Sequence, residues 1–376
     1  MNQVDNIIYL DNAATTKPDP KIMDLYLRIS NDFFANPSSI HMEGSKAFHL
    51  LQETREKILS HFKLKDYEVI FTSGATESIN LAIKGVAHQY KNRGKHIITS
   101  SIEHPAVLMC LRQLEEEGFS VTYLPVDSNG NIEIDALKSA LREDTILVSI
   151  MAVNNEVGSV NNLKDISTLL KAYPKVFFHT DATQAVNKLD IDYNFVDLFS
   201  FTGHKIHGLK NCGILLKRKK IPLKPLQNGG GQENNYRSGT NDLASAVCLE
   251  KCLLLVNNNE HIESLFNTLY IYLKNNTDLY EINTPISTYK YILNFSLKTK
   301  KASVIVEGLS NQGIMVSSIS ACHSKYEKFS YVVKALGKSE QLASNTIRVS
   351  FDMSNTIDEI KTFINVLDKL VRGIRQ

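Results

Sequence analysis

Ser200-Phe201-Thr202-Gly203-His204-Lys205-Ile206-His207-Gly208 follows directly on the apolar run Phe195-Val196-Asp197-Leu198-Phe199. Lys205 is crowded by apolar neighbours and flanked by hydroxyl and imidazole groups. Desolvation disfavours the ammonium form, so a lysine in this setting can be a nucleophile rather than a fixed charge. A neutral amine can form a Schiff base, the usual way a protein holds pyridoxal phosphate. Upstream, His179-Thr180-Asp181-Ala182-Thr183-Gln184 ends another apolar strand and offers a carboxylate able to pair with a pyridinium nitrogen. These two strand ends are the most informative pairing in the chain.

The surrounding pattern gives the fold class. Strand-length apolar runs recur at Glu68–Thr72, His96–Ser100, Ser120–Pro125, Ile146–Ala152, Val176–His179, Asp197–Phe201 and Gly213–Leu216. Helix-length segments lie between most of them, at Ala75–Lys91, Pro105–Glu117, Ile134–Leu141 and Asn162–Ala172. Short apolar strands alternating with helices predict an α/β fold with a mostly parallel sheet covered on both faces, and chemistry at the strand C-terminal ends. Beyond about Val256 the pattern changes to helix 260–274, strand 291–297, helix 302–312, strand 347–351 and a closing helix 357–374. We therefore expect a large domain over 16–257 and a smaller α+β domain made of 1–15 and 258–376, with Ile7–Asn12 joining the smaller one.

Composition excludes several classes. The 376 residues are 43% hydrophobic and 22% charged, with a formal net charge of +2. That is ordinary for a globular protein, and no basic block resembles a nucleic-acid footprint. Lys217-Arg218-Lys219-Lys220 reads as a solvated turn. No run reaches the ~18 apolar residues of a membrane span, and Met1–Tyr9 has no export signal. Five cysteines without a Cys-x-x-Cys pair argue for a reducing compartment, so the cytoplasm is expected.

Other stretches carry chemistry. Phe71-Thr72-Ser73-Gly74-Ala75-Thr76-Glu77-Ser78 joins a strand to a helix, where backbone amides and hydroxyls make a phosphate site; the alternative is an ordinary helix cap. Gly203–Lys210 echoes a nucleotide-binding loop but fails at Leu209 and Asn211. His204 and His207 lack the neighbours of a metal site, so none is expected. His104, between a strand and Pro105, can stack on an aromatic cofactor and move protons, or is simply a turn residue. Cys322 lies in the polar stretch Ser317-Ser318-Ile319-Ser320-Ala321-Cys322-His323-Ser324, where His323, Lys325 and Lys328 favour the thiolate. Cys110, Cys212, Cys248 and Cys252 read as structural. Arg348, alone in an apolar strand, either grips a carboxylate or forms an internal salt bridge. The glycines of Gly229-Gly230-Gly231-Gln232 allow close backbone approach.

Taken in order, these segments resemble the NifS/IscS group of pyridoxal-phosphate cysteine desulfurases. The resemblance rests on Tyr9–Thr16, Asn36–Ser39, Thr72–Glu77, Glu103-His104, Val153–Gly158, Asp181–Gln184, Ser200–Gly208, Gly229–Gln232, Arg237–Thr240, Ser320–Cys322 and Ile347-Arg348. It implies the fold-type I architecture of pyridoxal-phosphate enzymes, a homodimer, L-cysteine as substrate and a sulfur-acceptor protein as partner. It also implies Lys205 as the Schiff-base lysine, Asp181 as the pyridinium partner, Gln184 at the ring hydroxyl and His104 stacked on the ring. Ala75 (backbone), Thr76, Thr202 and His204 would hold the phosphate, with Thr240 reaching it from the other subunit. Asn155 and Arg348 would position cofactor and substrate carboxylate, and Cys322 would accept the sulfur as a persulfide.

The chain departs from the family pattern at Ile319, commonly glycine, at His207 and Leu209, commonly an aromatic and a proline, and at Ala152, often histidine. It ends at Gln376, short of a tail associated with scaffold docking, which favours a dedicated sulfur acceptor. The long interval from Cys322 to Arg348 resembles the class whose cysteine swings out to deliver sulfur. Iron–sulfur assembly, tRNA thiolation and thio-cofactor synthesis all stay open as destinations. A selenocysteine lyase, an aminotransferase and a non-enzymatic sulfur relay are the competing readings.

Overall fold

The computed structural model describes residues 7–255, 258–286, 289–318 and 329–373. The first strand, β1 (Ile8–Tyr9), precedes helices α1 (Pro20–Asp32) and α2 (Met42–His61). Strands and helices then alternate: β2 (Tyr67–Thr72), α3 (Ala75–Tyr90), β3 (His96–Ser100), α4 (Pro105–Glu116), β4 (Ser120–Leu124), α5 (Ile134–Ala140), β5 (Thr145–Ser149), α6 (Leu163–Leu170) and β6 (Phe177–Asp181). Next come β7 (Leu198–Thr202), β8 (Gly213–Arg218), α7 (Leu243–Cys252) and α8 (Asn259–Lys274). The C-terminal part holds β9 (Tyr280–Ile282), β10 (Ile292–Leu297), α9 (Ala302–Ser310), β11 (Ile314–Met315), β12 (Ser317–Ser318), α10 (Tyr331–Ala335), α11 (Glu340–Ser344), β13 (Thr346–Ser350) and α12 (Ile357–Arg372).

Among the described residues the large sheet has the order β2-β8-β7-β6-β5-β3-β4. Pairing is parallel from β7 through to β4, and only β8 runs antiparallel to both its neighbours. Two antiparallel steps restore β2 to the common direction, so Thr72, Ser100, Asp181 and Thr202 all end strands on one edge. Every residue of β3, β5 and β7 is buried, as expected for strands covered on both faces. A polar layer crosses this core: His179 in β6 bridges Ser149 Oγ (2.9 Å) and Ser200 Oγ (3.0 Å). Burial lowers its pKa to about 3, which keeps the imidazole neutral.

The smaller sheet has the order β12-β13-β10-β9 and is antiparallel throughout. β1 pairs in parallel with β11, and Asp11 bridges to Ser350, so the N-terminal segment joins C-terminal elements. α12 packs on α8 and α9 with Ile360, Phe363, Leu367 and Val371 buried, and a Thr356/Glu359 capping box starts it. The strands and helices read from periodicity are present, with ends shifted by a few residues. α1 and α2 lie in a stretch where the apolar pattern had not marked any element. Among the described residues no helix is long and apolar enough to cross a membrane.

Candidate active site

β7 delivers Lys205. The strand ends at Thr202, and one 3-10 turn (Gly203–Lys205) reverses the chain toward the C-terminal edge of the sheet. Gly203 N–H bonds back to Cys212 O (2.9 Å), and Thr202 Oγ1 donates to the same carbonyl (2.8 Å), which locks the turn. Lys205 Nζ donates to the carbonyls of Ala13 (2.6 Å) and Ala14 (2.7 Å), contributed by the N-terminal segment.

These residues face a cavity of about 740 Å³, lined also by Ser73–Glu77, His104, Asn155, Asp181, Thr183, Gln184, Thr202, His204 and Arg348. Asp181 is 6% exposed and accepts from Thr183 N (2.9 Å). Burying a carboxylate costs free energy unless charge or hydrogen bonds compensate it. Among the described residues Asp181 has no cation within ion-pair distance, so its donor set suits an N–H cation entering the cavity. Thr183 Oγ1 and Arg348 Nε are buried with no hydrogen-bond partner among the described residues.

The end of the cavity at Ser73–Glu77 is built from backbone. α3 starts at Gly74 with no side-chain cap, so the N–H groups of its first turn have no intrahelical acceptor. The Ser73 amide is taken by Glu77 Oε2 (2.7 Å), and Glu77 is in turn neutralised by Arg237 Nε (2.9 Å). A Cβ on Gly213 would lie 2.3 Å from the Gly74 carbonyl carbon, so only glycine lets β8 pass this close to the turn. His204 lines the same end, with Nδ1 3.2 Å from Thr15 Oγ1. Burial, then Lys205, lowers its pKa to about 4, so it offers a neutral imidazole. A helix N-terminus for a phosphate, a buried lone carboxylate for a ring nitrogen and an amine for an aldehyde together fit pyridoxal phosphate.

His104 caps α4, its Nδ1 accepting from Ala106 N (3.1 Å), and its side chain lines the cavity. Gln184 Nε2 donates to Ala13 O (2.9 Å). Arg348 is 5% exposed; its guanidinium donates to Asn155 O (2.8 Å) and pairs with Asp11 (2.9 Å). The internal salt bridge thus exists, and the same arginine still lines the cavity. Thr240 does not line it in its own chain. That residue borders a neighbouring hollow of about 100 Å³ with Ser73, Asn211 and Arg237.

Cys322 lies outside the described residues. Just before that stretch, Ser317 is the β-partner of Arg348. Just after it, Ser330 Oγ donates to Glu156 (2.6 Å) and Tyr331 donates to Glu103 O (2.6 Å). Cys110 and Cys248 are buried, and burial pushes both thiols up to about 12; Cys212 and Cys252 are buried and raised as well. All four are structural, as read from the sequence.

Sequence reasoning missed the role of Ala13 and Ala14 as the cradle of Lys205, because their contribution is backbone and local pattern does not report it. It also missed Glu103. This fully buried carboxyl accepts from Ser100 Oγ (2.6 Å) and Met151 N (3.0 Å), tying the end of β3 to the segment just after β5. Burial raises its pKa to about 8. A glutamate beside His104 at a strand end was the available signal.

The aminotransferase class-V family profile matches residues 8–363. A NifS/IcsS protein homolog of Lactobacillus delbrueckii subsp. bulgaricus is 40% identical over 374 residues, covering 97% of both chains. The cysteine desulfurase IscS of Dictyoglomus turgidum is 39% identical, covering 98% of this chain and 95% of its own. Among solved structures, a NifS-like protein superposes with a TM-score of 0.91 at 33% identity, covering 98% of this chain and all of the other. SspA in complex with cysteine gives 0.81 at 33% identity over 92% of this chain and 98% of its own. With the lysine, the lone carboxylate and the helix N-terminus on one cavity, the chain belongs to the aminotransferase class-V family and, within it, to the NifS/IscS-type, pyridoxal-phosphate-dependent cysteine desulfurases.

Proposed function

We propose that this protein takes sulfur from L-cysteine, releases L-alanine and stores the sulfur as a persulfide on Cys322 for an acceptor protein. The observation that carries the reading is the convergence of Lys205, Asp181, His104 and Arg348 on one cavity at the sheet's C-terminal edge. We read 16–257 as the cofactor-binding unit and 1–15 with 258–376 as the smaller one, in a cytoplasmic homodimer whose second copy brings Thr240 to the phosphate.

Pyridoxal phosphate, when bound, supplies an electron sink that makes the substrate Cα–H acidic. Lys205 holds the cofactor and, once released, removes the Cα proton. Asp181 keeps the ring nitrogen protonated. The N–H groups of Ala75 and Thr76, with Thr202 and His204, hold the phosphate, and Gln184 meets the ring hydroxyl. Arg348 and Asn155 orient the substrate carboxylate, while the Nε2 side of His104 shuttles a proton. The Cys322 thiolate attacks the substrate sulfur: the S–S bond forms, the Cβ–S bond breaks, and its electron pair stays on carbon to be protonated. The position of Ser317 beside Arg348 supports delivery of Cys322 to this cavity, since the cysteine follows Ser318 by four positions.

The test is incubation of the holoenzyme with L-cysteine, measuring alanine together with intact mass. Alanine release with a gain of about 32 Da on Cys322, absent in Cys322→Ala, is expected. Full turnover with an acceptor thiol in Cys322→Ala removes the assigned role. The acceptor, whether in iron–sulfur assembly, tRNA thiolation or thio-cofactor synthesis, is identified by which purified carrier protein discharges the labelled persulfide.

A further inference from the structure

A second lysine lies behind the cavity. Lys188 is 9% exposed, and its Nζ donates to Gln184 Oε1 (3.0 Å). Among the described residues no carboxylate comes within ion-pair distance of it; the Tyr291 ring lies 5.7 Å away. Burying an amine is costly without compensation, so its placement calls for a reason.

The hydrogen bonds around Gln184 provide one. With Lys188 donating to Oε1 and Ala13 O accepting from Nε2 (2.9 Å), the side-chain amide has one orientation open to it. The backbone carbonyl of Gln184 is held as well, by Tyr289 Oη (3.0 Å). The second Nε2 hydrogen is then free to serve the cavity that Gln184 lines. Ala13 O also accepts from Lys205 Nζ, so the two amines belong to one chain of contacts: Lys188, Gln184, Ala13 O, Lys205. Burial first, then Lys205, lowers the Lys188 pKa to about 7; Asp352 acts the other way and Arg348 in the same sense as Lys205. The charge of Lys188 is also felt at His204.

We propose that Lys188 is a positioning residue for the reaction: it fixes the Gln184 amide with its N–H toward the cofactor's ring hydroxyl. This rests on the reading of Gln184 as the ring-hydroxyl partner. Lys188 is not among the residues that line the cavity and acts through Gln184 and through its field at Lys205.

The test is a double-mutant cycle of Lys188→Met and Gln184→Leu, read by the Kd for pyridoxal phosphate on apoprotein and by the pH midpoint of the visible band. Lys188→Met is expected to weaken cofactor binding about tenfold. It also raises the midpoint, because losing a donor to the ring oxyanion and losing a nearby cation both favour the protonated form. In the Gln184→Leu background the same substitution changes the Kd less than about twofold. A Lys188→Met protein that shows a lower apo Tm with unchanged Kd and midpoint overturns the proposal, as does an equal loss in both backgrounds. Lys188→Gln keeps a donor and serves if methionine is not tolerated; affinity within about threefold of wild type supports the proposal, and a tenfold loss overturns it. Wild-type protein that takes up no pyridoxal phosphate would sink the reading of the cavity itself, whereas normal uptake with an uncoupled cycle sinks only the role of Lys188.

Discussion

Lys205 Nζ is held by two carbonyl oxygens, those of Ala13 and Ala14, from a segment 191 and more residues away in the chain. Carbonyls can only accept, so both fix the amine in place by taking its N–H groups. Lys205→Ala is expected to abolish the visible absorbance of the holoenzyme and alanine release, while the apoprotein still melts cooperatively. Spectra after incubation with pyridoxal phosphate, with calorimetry of the apo form, check this.

Arg348 divides its donors between Asn155 O, Asp11 and the cavity. Lysine cannot reproduce this planar fork. Arg348→Lys should raise KM for L-cysteine about tenfold or more, with a smaller effect on the Kd for the cofactor. Steady-state kinetics and cofactor titration separate the two. Asp11→Asn, which keeps the arginine but removes its ion pair, should produce a milder change of the same kind.

The proposed function gives His104 a second role beside its helix cap, and substitution can split the two. Its Nδ1 caps α4, and asparagine can take over that cap. His104→Asn is therefore expected to hold the apo Tm within about 2 °C, since only a fraction of a cap is lost. Alanine release should fall about a hundredfold or more if the imidazole moves a proton. Equal losses in Tm and activity would assign His104 to structure alone.

His207 Nε2 lies 2.8 Å from Asp352, joining the lysine turn to the segment just after β13. Burial lowers the His207 pKa, but the bond and charge of Asp352 outweigh it and leave it raised. Burial likewise raises Asp352, and His207 outweighs that, leaving it depressed. The stability from His207 is present below its ordinary value of 6.5 and disappears as pH rises through the raised folded value. That from Asp352 is present above its ordinary value of 3.8 and disappears as pH falls through the depressed one. The Tm difference between wild type and Asp352→Asn should therefore be greatest from about pH 4 to 6.5 and shrink at alkaline pH. A pH series of melting curves decides it; a difference independent of pH would mean that the pair is not ionic.

Much of the site could be read along the chain because its donors sit at strand ends, where an apolar run stops and a polar residue begins. Asp181, Lys205 and His104 each carry that signature, and the Ser73–Thr76 turn carries a glycine and hydroxyls that suit a phosphate. Arg348 stood out as a cation in an apolar strand, yet whether it faced a ligand or an internal partner was open until Asp11 and Asn155 came into view. α1 and α2 escaped notice. In α2 the inward residues, such as Ala47 and Leu51, are interspersed with exposed apolar side chains such as Met42 and Phe48 that blur the amphipathic period.

The sequence by itself determined the alternating architecture and the chemical identity of the principal groups, because periodicity and residue type are local properties. Tertiary structure alone decided which backbone receives Lys205, which carboxylate Arg348 pairs with, and that Lys188 stands behind Gln184. Carbonyl oxygens and buried amides look alike at every position of a sequence. Only folding, by bringing residues some two hundred positions apart within 3 Å, selects the few that a reactive amine will meet.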